Sequence, residues 1–404
     1  MKKKYSFRQI VNTLHLWVGI PCALILFLVC LTGTLYVFQK EITQWVDNEK
    51  YTITVPSNTQ ALSLDSLVKL TESRYKDFKV ATVLIPEKKN EVWQFSMAPL
   101  SKIGGDAGKA EAKKRTNIVL VNPYTGLVLG DTKSACSRFF AKVIELHRWM
   151  LMDHSIGAVI TTTAAFLFLF LEISGIILWL PAKLKQWKKW KSWKQGFSIK
   201  RKAGWKRINH DLHKTLGFYS FLFITIMAIT GPYFAFDWYR NGFAGALGTK
   251  PIKKEVANNA KGTKQKTVLK TISLDSLLVQ ADNILSYPGE IKISLPKTPG
   301  GSLSFQKGKT GFFAFAGTDK VDFSGENGTV KKIELIDQKK FGEKIVSVVR
   351  AIHTGEIFGT FSKILYFLAC LIATSLPVTG IFIWLNKRKK KNKKRVPANL
   401  IAAV

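Results

Sequence analysis

The chain is poor in the residues from which soluble enzymes build nucleotide and metal sites. Its 404 residues hold no Gly-x-Gly-x-x-Gly and no Walker A pattern, which excludes the familiar folds for NADPH, flavin and ATP. Cysteine is scarce. Cys22, Cys30 and Cys370 fall in apolar runs, where a free thiol behaves as a small apolar residue, and Cys136 stands alone in a polar stretch. No intramolecular disulfide framework follows, and without Cys-x-x-Cys there is no thiol-exchange, iron–sulfur or zinc-ribbon site. Histidine numbers six, and none lies within the long stretches 41–134 and 240–342, so neither carries a Ser/His/Asp or Cys/His set for hydrolysis. Acidic residues are few as well: 27 Asp and Glu face 61 Lys and Arg, a net charge of +34.

What is present is apolar and grouped. Four blocks, about Ile10 to Phe38, Ile156 to Leu180, Leu216 to Phe236 and Ile357 to Leu385, are each long enough to cross ~30 Å of hydrocarbon at about 1.5 Å per residue. The first follows Met1 to Lys4 but is too long for a signal peptide and has no small-x-small cleavage site, so it reads as a retained span. The basic residues flank the blocks on one side. Lys183 to Arg207 carries eleven and no acidic residue, Lys387 to Arg395 carries eight, and the first eight residues carry four. By the positive-inside rule both termini and the middle loop are cytoplasmic and the two long loops lie outside. Topology thus accounts for the basic tracts, and no nucleic-acid partner is expected. Trp187, Trp190 and Trp193 recur among the lysines as in a helix lying in the membrane interface, with a solvated or lipid-facing surface.

The order span, long loop, span is written twice. His15 to Gly33 and His213 to Gly231 are each eighteen residues apart, and Leu146-His147-Arg148 and Ile352-His353-Thr354 stand further ahead of Ser174-Gly175 and Thr379-Gly380. The divisions expected are span 1 at 10–38, an outer module at 41–134, a helical lead-in with span 2 at 135–180, and a basic loop at 181–207. Span 3 at 208–239, a second module at 240–342, a lead-in with span 4 at 343–386 and a basic tail at 387–404 repeat the plan.

Each outer loop reads as a small α+β module. In the first, Leu62 to Glu72 has helical spacing with Ser63 or Asp65 as N-cap, followed by strands at Lys79 to Ile85 and Val92 to Ser96. A hairpin of Ile118 to Val121 and Leu127 to Leu129 surrounds Asn122 to Gly126, and Ser101 to Lys114 reads as an insertion. In the second, Ile272 to Asp282 matches the Leu62 helix almost residue for residue. Strands are expected at Ile291 to Leu295, Leu303 to Gln306, Phe312 to Phe315 and Val330 to Ile336.

The six histidines, His15, His147, His154, His210, His213 and His353, all lie at or near span ends. Any one of them suits a helix cap or a headgroup anchor, yet the set keeps a repeated spacing. Topology puts His15, His210 and His213 near the cytoplasmic face and His147, His154 and His353 near the outer face. Pairing by the repeat gives His15 with His213 and His147 with His353. Two neutral imidazoles without Cys or carboxylate beside them suit the axial positions of a b-type haem better than zinc, which takes a third and fourth ligand. Two pairs imply two haems. His154 and His210 remain as supporting residues, propionate partners or substitute ligands. Gly33 and Gly231 fall at the depth of the outer pair and Gly175 and Gly380 at that of the inner pair. They leave room for a macrocycle, for close helix packing, or for both, with the adjoining Ser or Thr serving backbone or propionate groups. Arg148 is a candidate propionate partner, and Glu172, inside an apolar run, a candidate proton relay or a residue wetted from the cytoplasmic side.

These openings, Leu14-His15, Leu146-His147-Arg148, His210-Asp-Leu-His213 and His353-Thr-Gly-Glu356, with Ser/Thr-Gly near the span ends and Trp179 and Trp384 closing spans 2 and 4, resemble the PepSY-associated transmembrane family over nearly the whole chain. The resemblance implies a membrane α-helical fold of four transmembrane helices in two tandem repeats, each with an extracytoplasmic α+β PepSY-like module. It also implies residence in a bacterial inner membrane and a place in iron uptake, because the family includes di-haem ferric-siderophore reductases. His15, His147, His213 and His353 match its span histidines. Haem b, two per chain, would then carry electrons from a cytoplasmic donor protein or a membrane quinol to a periplasmic ferric siderophore or other Fe(III) chelate. Reduction weakens the hold of hard oxygen ligands on iron. Two other classes remain open: a membrane-anchored regulator whose PepSY-like loops restrain an extracytoplasmic protein, and a metal or chelate transporter.

Overall fold

Four apolar helices dominate the structure, a computed structural model that describes residues 6–100, 117–250, 272–296, 298 and 300–393, with side chains to 388. The insertion expected at Ser101 to Lys114 lies outside the described residues. So do the leader Met1 to Lys4 and the end of the basic tail.

Span 1 is Phe7–Tyr36, opened by a capping box in which Ser6 and Gln9 satisfy each other's backbone amides. Span 2 is His154–Trp179, capped by Asp153. Span 3 begins at Trp205, eleven residues before its apolar block, and runs to Thr230 before a short 3-10 turn at Pro232–Phe234. Span 4 is Gly359–Lys393 and continues into the basic tail. All four are long and apolar enough to cross a membrane. Span 1 packs on spans 2 and 4, and span 3 packs on the same two, so 1 and 3 face each other across the bundle. Arg8 ties the basic end together: its guanidinium donates to the carbonyls of Ile177, Leu178 and Leu180, which the last turn of span 2 leaves without helical partners.

The two long loops build one sheet. Strands β1 (Phe78–Ile85), β2 (Trp93–Pro99), β3 (Ile118–Val121) and β4 (Val128–Asp131) come from the first loop, and β5 (Glu290–Ser294), β6 (Leu303–Gly308), β7 (Thr318–Phe323) and β8 (Val330–Glu334) from the second. The order is β4-β3-β2-β1-β5-β6-β7-β8, antiparallel throughout. The expectation of one separate module per loop gives way here. Strand β1 pairs with β5, Val83 opposite Ile293, so neither half leaves its first strand as an open edge. A single core, with Leu64, Leu67, Phe95, Leu277, Ile293, Phe305 and Phe323 fully buried, runs through both halves.

Helices Leu64–Arg74 and Leu274–Ile284 lie over this sheet, each capped by its own serine, Ser63 and Ser273. Asp65 does not cap its own helix as an alternative reading allowed. Its carboxylate accepts from Leu274 N at 2.8 Å and Ser273 Oγ at 3.0 Å, while Asp275 accepts from Leu64 N at 2.8 Å. Each helix start therefore holds a carboxylate from the other, where the helix dipole favours negative charge.

Two further expectations are corrected. Phe312 to Phe315 forms no strand; its run of aromatics has strand propensity, but only Phe315 finds a bridging partner, Phe358, and the real strand is β7. The tryptophan segment is two short helices, Leu184–Trp187 and Trp190–Phe197, folded back so that Trp193 Nε1 donates to Trp187 O at 2.9 Å.

Candidate functional site

Four histidines are placed by one repeated device. His15 Nδ1 lies 2.8 Å from Ser174 Oγ, and His213 Nδ1 lies 2.8 Å from Thr379 Oγ1. His147 Nδ1 lies 3.1 Å from Thr32 Oγ1, and His353 Nδ1 lies 2.9 Å from Thr230 Oγ1. In every case the hydroxyl belongs to the residue before one of the four glycines. His15 of span 1 is held by span 2 and His213 of span 3 by span 4, whereas His147 and His353 come from the lead-in helices Ala135–Trp149 and Phe341–Thr354 and are held by spans 1 and 3.

The hydroxyls fix the tautomer. Each is already a donor to a carbonyl of its own helix: Ser174 to Leu171 O at 3.0 Å, Thr32 to Leu28 O at 2.7 Å, Thr230 to Ile226 O at 2.7 Å and Thr379 to Ser375 O at 3.0 Å. A hydroxyl has one proton, so it accepts from the histidine. The proton of each neutral ring then sits on Nδ1, and Nε2 is left with its lone pair. For His147 a second contact agrees, because Val29 O, 2.9 Å away, is an acceptor only.

The clasped rings meet in pairs across the bundle. His15 and His213 have ring centroids 6.4 Å apart with planes at 88°, and His147 and His353 are 6.5 Å apart at 62°. Two imidazoles ligating one metal through bonds of about 2 Å place their centroids about 6 Å apart. Among the described residues no group of three or more His, Cys, Asp or Glu is placed to hold a metal ion. The donor set is thus two neutral nitrogens per level, which fits the axial positions of a haem and not a tetrahedral zinc site. Along span 1, His15 and Gly33 place the two levels about 27 Å apart.

The glycines serve the rings themselves. A Cβ at Gly33 would stand 3.2 Å from His147 Cε1, one at Gly380 3.5 Å from His213 Cε1, one at Gly231 3.6 Å from His353 Cε1 and one at Gly175 3.7 Å from His15 Cε1. The neighbouring Ser and Thr bond backbone carbonyls of their own helices and clasp the imidazoles. Neither spare histidine joins a pair: His154 packs edge-on against Trp149 at 5.1 Å, and His210 is exposed beside Asp211. Arg148 lies over the Trp149 ring at 4.8 Å. Glu172 is only 7 % exposed inside the bundle and has no hydrogen-bond or ion-pair partner among the described residues.

Three residues beside the pairs carried no sequence signal. Asn209, one helical turn before His213, donates to Thr379 O at 3.0 Å, and its Oδ1 is buried without a partner among the described residues. Phe234 packs against His353 with ring centroids 5.4 Å apart and planes tilted by 59°. Lys363, 6 % exposed on span 4, bridges Glu41 at 2.6 Å and Glu356 at 3.2 Å, joining the end of span 1 to the corner after His353. A lysine near a span end reads as an interfacial anchor, and only its two carboxylates, far apart in sequence, reveal otherwise.

A four-helix bundle with paired imidazoles at two depths defines a polytopic membrane protein with two facing-histidine sites. The PepSY-associated TM region matches residues 13–387, and the chain belongs to that family. No curated protein matches the chain.

Proposed function

We propose that this protein is a di-haem electron carrier of a bacterial inner membrane, with both termini and the basic segments in the cytoplasm and the sheet in the periplasm. It is built as two tandem repeats whose PepSY-like halves share one sheet. The observation that carries the reading is the fourfold clasp, in which a Ser or Thr already committed to its own helix leaves each histidine protonated at Nδ1 and free at Nε2. His15 and His213 would hold a b-type haem at the basic end, and His147 and His353 a second at the sheet end. When bound, the haems supply one-electron transfer between the two levels.

The chain's own residues orient and insulate. The clasps fix each ring's rotation and raise its basicity, as partners behind metal-bound histidines do. Leu26, Ala164, Leu171, Ile224 and Ala373 fill the bundle and keep water from the path. Lys363 with Glu41 and Glu356 fastens the sheet-end corner, where a periplasmic Fe(III) chelate, such as a ferric siderophore, would accept the electron. The donor would be a cytoplasmic protein or a membrane quinol.

An absorption spectrum of the detergent-purified protein, oxidised and dithionite-reduced, with a pyridine haemochrome assay, tests this. A sharp reduced α-band and about two b-haems per chain are expected. A colourless protein after expression with ample haem would sink the reading and leave a membrane-anchored regulator.

A further inference from the structure

The connection between β6 and β7 is Lys309-Thr-Gly-Phe312-Phe313-Ala-Phe315-Ala-Gly317, which holds three aromatics and no charge after its first residue. It is fastened to the start of span 4. Phe361 N, one of the amides that a helix start leaves unpaired, donates to Phe312 O at 3.0 Å, and Ala316 N donates to Ile357 O at 3.0 Å. The approach is so close that a Cβ at Gly359 would overlap Gly311 O, and Gly359 takes a φ of +59°, which suits only glycine well.

Held this way, the tip points its rings outward. Phe313 is 67 % exposed and Phe312 50 %, yet they pack on each other at 4.8 Å, and Phe313 packs on Phe361 at 5.1 Å. Phe361 in turn begins a row of exposed apolar residues on span 4, continuing through Ile364, Leu368 and Leu371 at helical spacing. On a helix that crosses a membrane, such a row is the lipid-facing side. The tip extends that side beyond the helix, at the depth where aromatic residues concentrate in membrane proteins.

We propose that Phe312 and Phe313 form a wedge seated in the bilayer at the headgroup–acyl boundary, with lipid as its partner. The wedge anchors the sheet to the membrane at a fixed depth and closes the start of span 4, the helix that follows His353. Its carbonyl cap keeps the Phe361 amide from standing unpaired near hydrocarbon, where that loss is severe. The proposal does not depend on haem or on electron transfer.

Phe313→Cys and Thr310→Cys, two positions on the same tip, test it in nanodiscs of phosphatidylethanolamine and phosphatidylglycerol. A water-soluble PEG-maleimide is followed by gel shift against the unsubstituted protein. The thiolate is the reacting form and is disfavoured in apolar surroundings, so labelling at 313 should be about tenfold slower than at 310, with both complete in SDS. Equal rates overturn the proposal. As an independent arm, Phe312→Asp with Phe313→Asp should lower the unfolding midpoint in nanodiscs. An unchanged or raised midpoint, as for an aromatic tip facing water, overturns it equally.

Discussion

At the scale of single residues, the four clasps look alike but differ in what remains when the hydroxyl is removed. His147 keeps the Val29 carbonyl at 2.9 Å, and the Leu376 and Met227 carbonyls lie within reach of His213 and His353. His15 has only Ser174 among the described residues. Ser174→Ala is therefore expected to damage its site most and Thr32→Val least. Loss of such a partner lowers metal affinity by roughly 10- to 100-fold, so haem retained per chain after gel filtration, measured by pyridine haemochrome, should fall clearly for Ser174→Ala and little for Thr32→Val. Equal losses would mean that the hydroxyls do not set the rings. The glycines divide similarly. An added methyl at Gly33 meets His147 at 3.2 Å and must displace it, whereas one at Gly175 meets His15 at an ordinary 3.7 Å. Gly33→Ala should broaden or shift the reduced α-band, with Gly175→Ala close to the unsubstituted spectrum.

At the scale of elements, two links join segments that the sequence keeps far apart. The exchanged carboxylates, Asp65 on Leu274 N and Asp275 on Leu64 N, fasten the two halves of the sheet's helical cover. Each acts as a helix cap worth about 1 kcal/mol, so Asp65→Ala and Asp275→Ala should each lower the unfolding midpoint by a few degrees. Amide exchange should speed up in the opposite helix, not the mutated one. The Lys363 cluster behaves asymmetrically. Lys363 is 6 % exposed while Glu41 and Glu356 are 49 % and 45 %. Lys363→Met leaves two carboxylates that water can reach, whereas Glu41→Gln with Glu356→Gln strands a buried ammonium, so the double variant should melt lower than the single one. The reverse order would show that Lys363 reaches water by another route. These elements also mark the limit of reading the chain by pattern. Spans, strands and the helices over the sheet follow from local periodicity, and the histidine pairing follows from a repeat in spacing. Pairing of β1 with β5, the exchange of Asp65 and Asp275, and the burial of Lys363 depend on contacts over roughly two hundred residues or more, which no local pattern records. Phe312 to Phe315 shows the opposite failure: a locally convincing strand finds a single bridge, Phe315 to Phe358, and becomes the tip on span 4.

At the scale of the whole molecule, the clasps and the pairs divide the labour. Hydrogen bonds tie span 1 to 2 and span 3 to 4, while the ring pairs set span 1 against span 3 at the basic end and one lead-in helix against the other at the sheet end. A haem at either level would thus fasten the two halves of the bundle as well as carry charge, since a ligand that binds only the folded state stabilises it by mass action. If the two sites act in series, loss of either should stop transfer across the membrane, because the levels stand about 27 Å apart along span 1. Proteoliposomes with a reductant sealed inside and a membrane-impermeant Fe(III) chelate outside measure this directly. His213→Ala and His353→Ala should each retain about one haem per chain and each abolish Fe(II) formation outside. One variant alone losing activity would mean that the other pair lies off the path and serves the fold, and unimpaired reduction in both would leave the paired imidazoles with a structural role only.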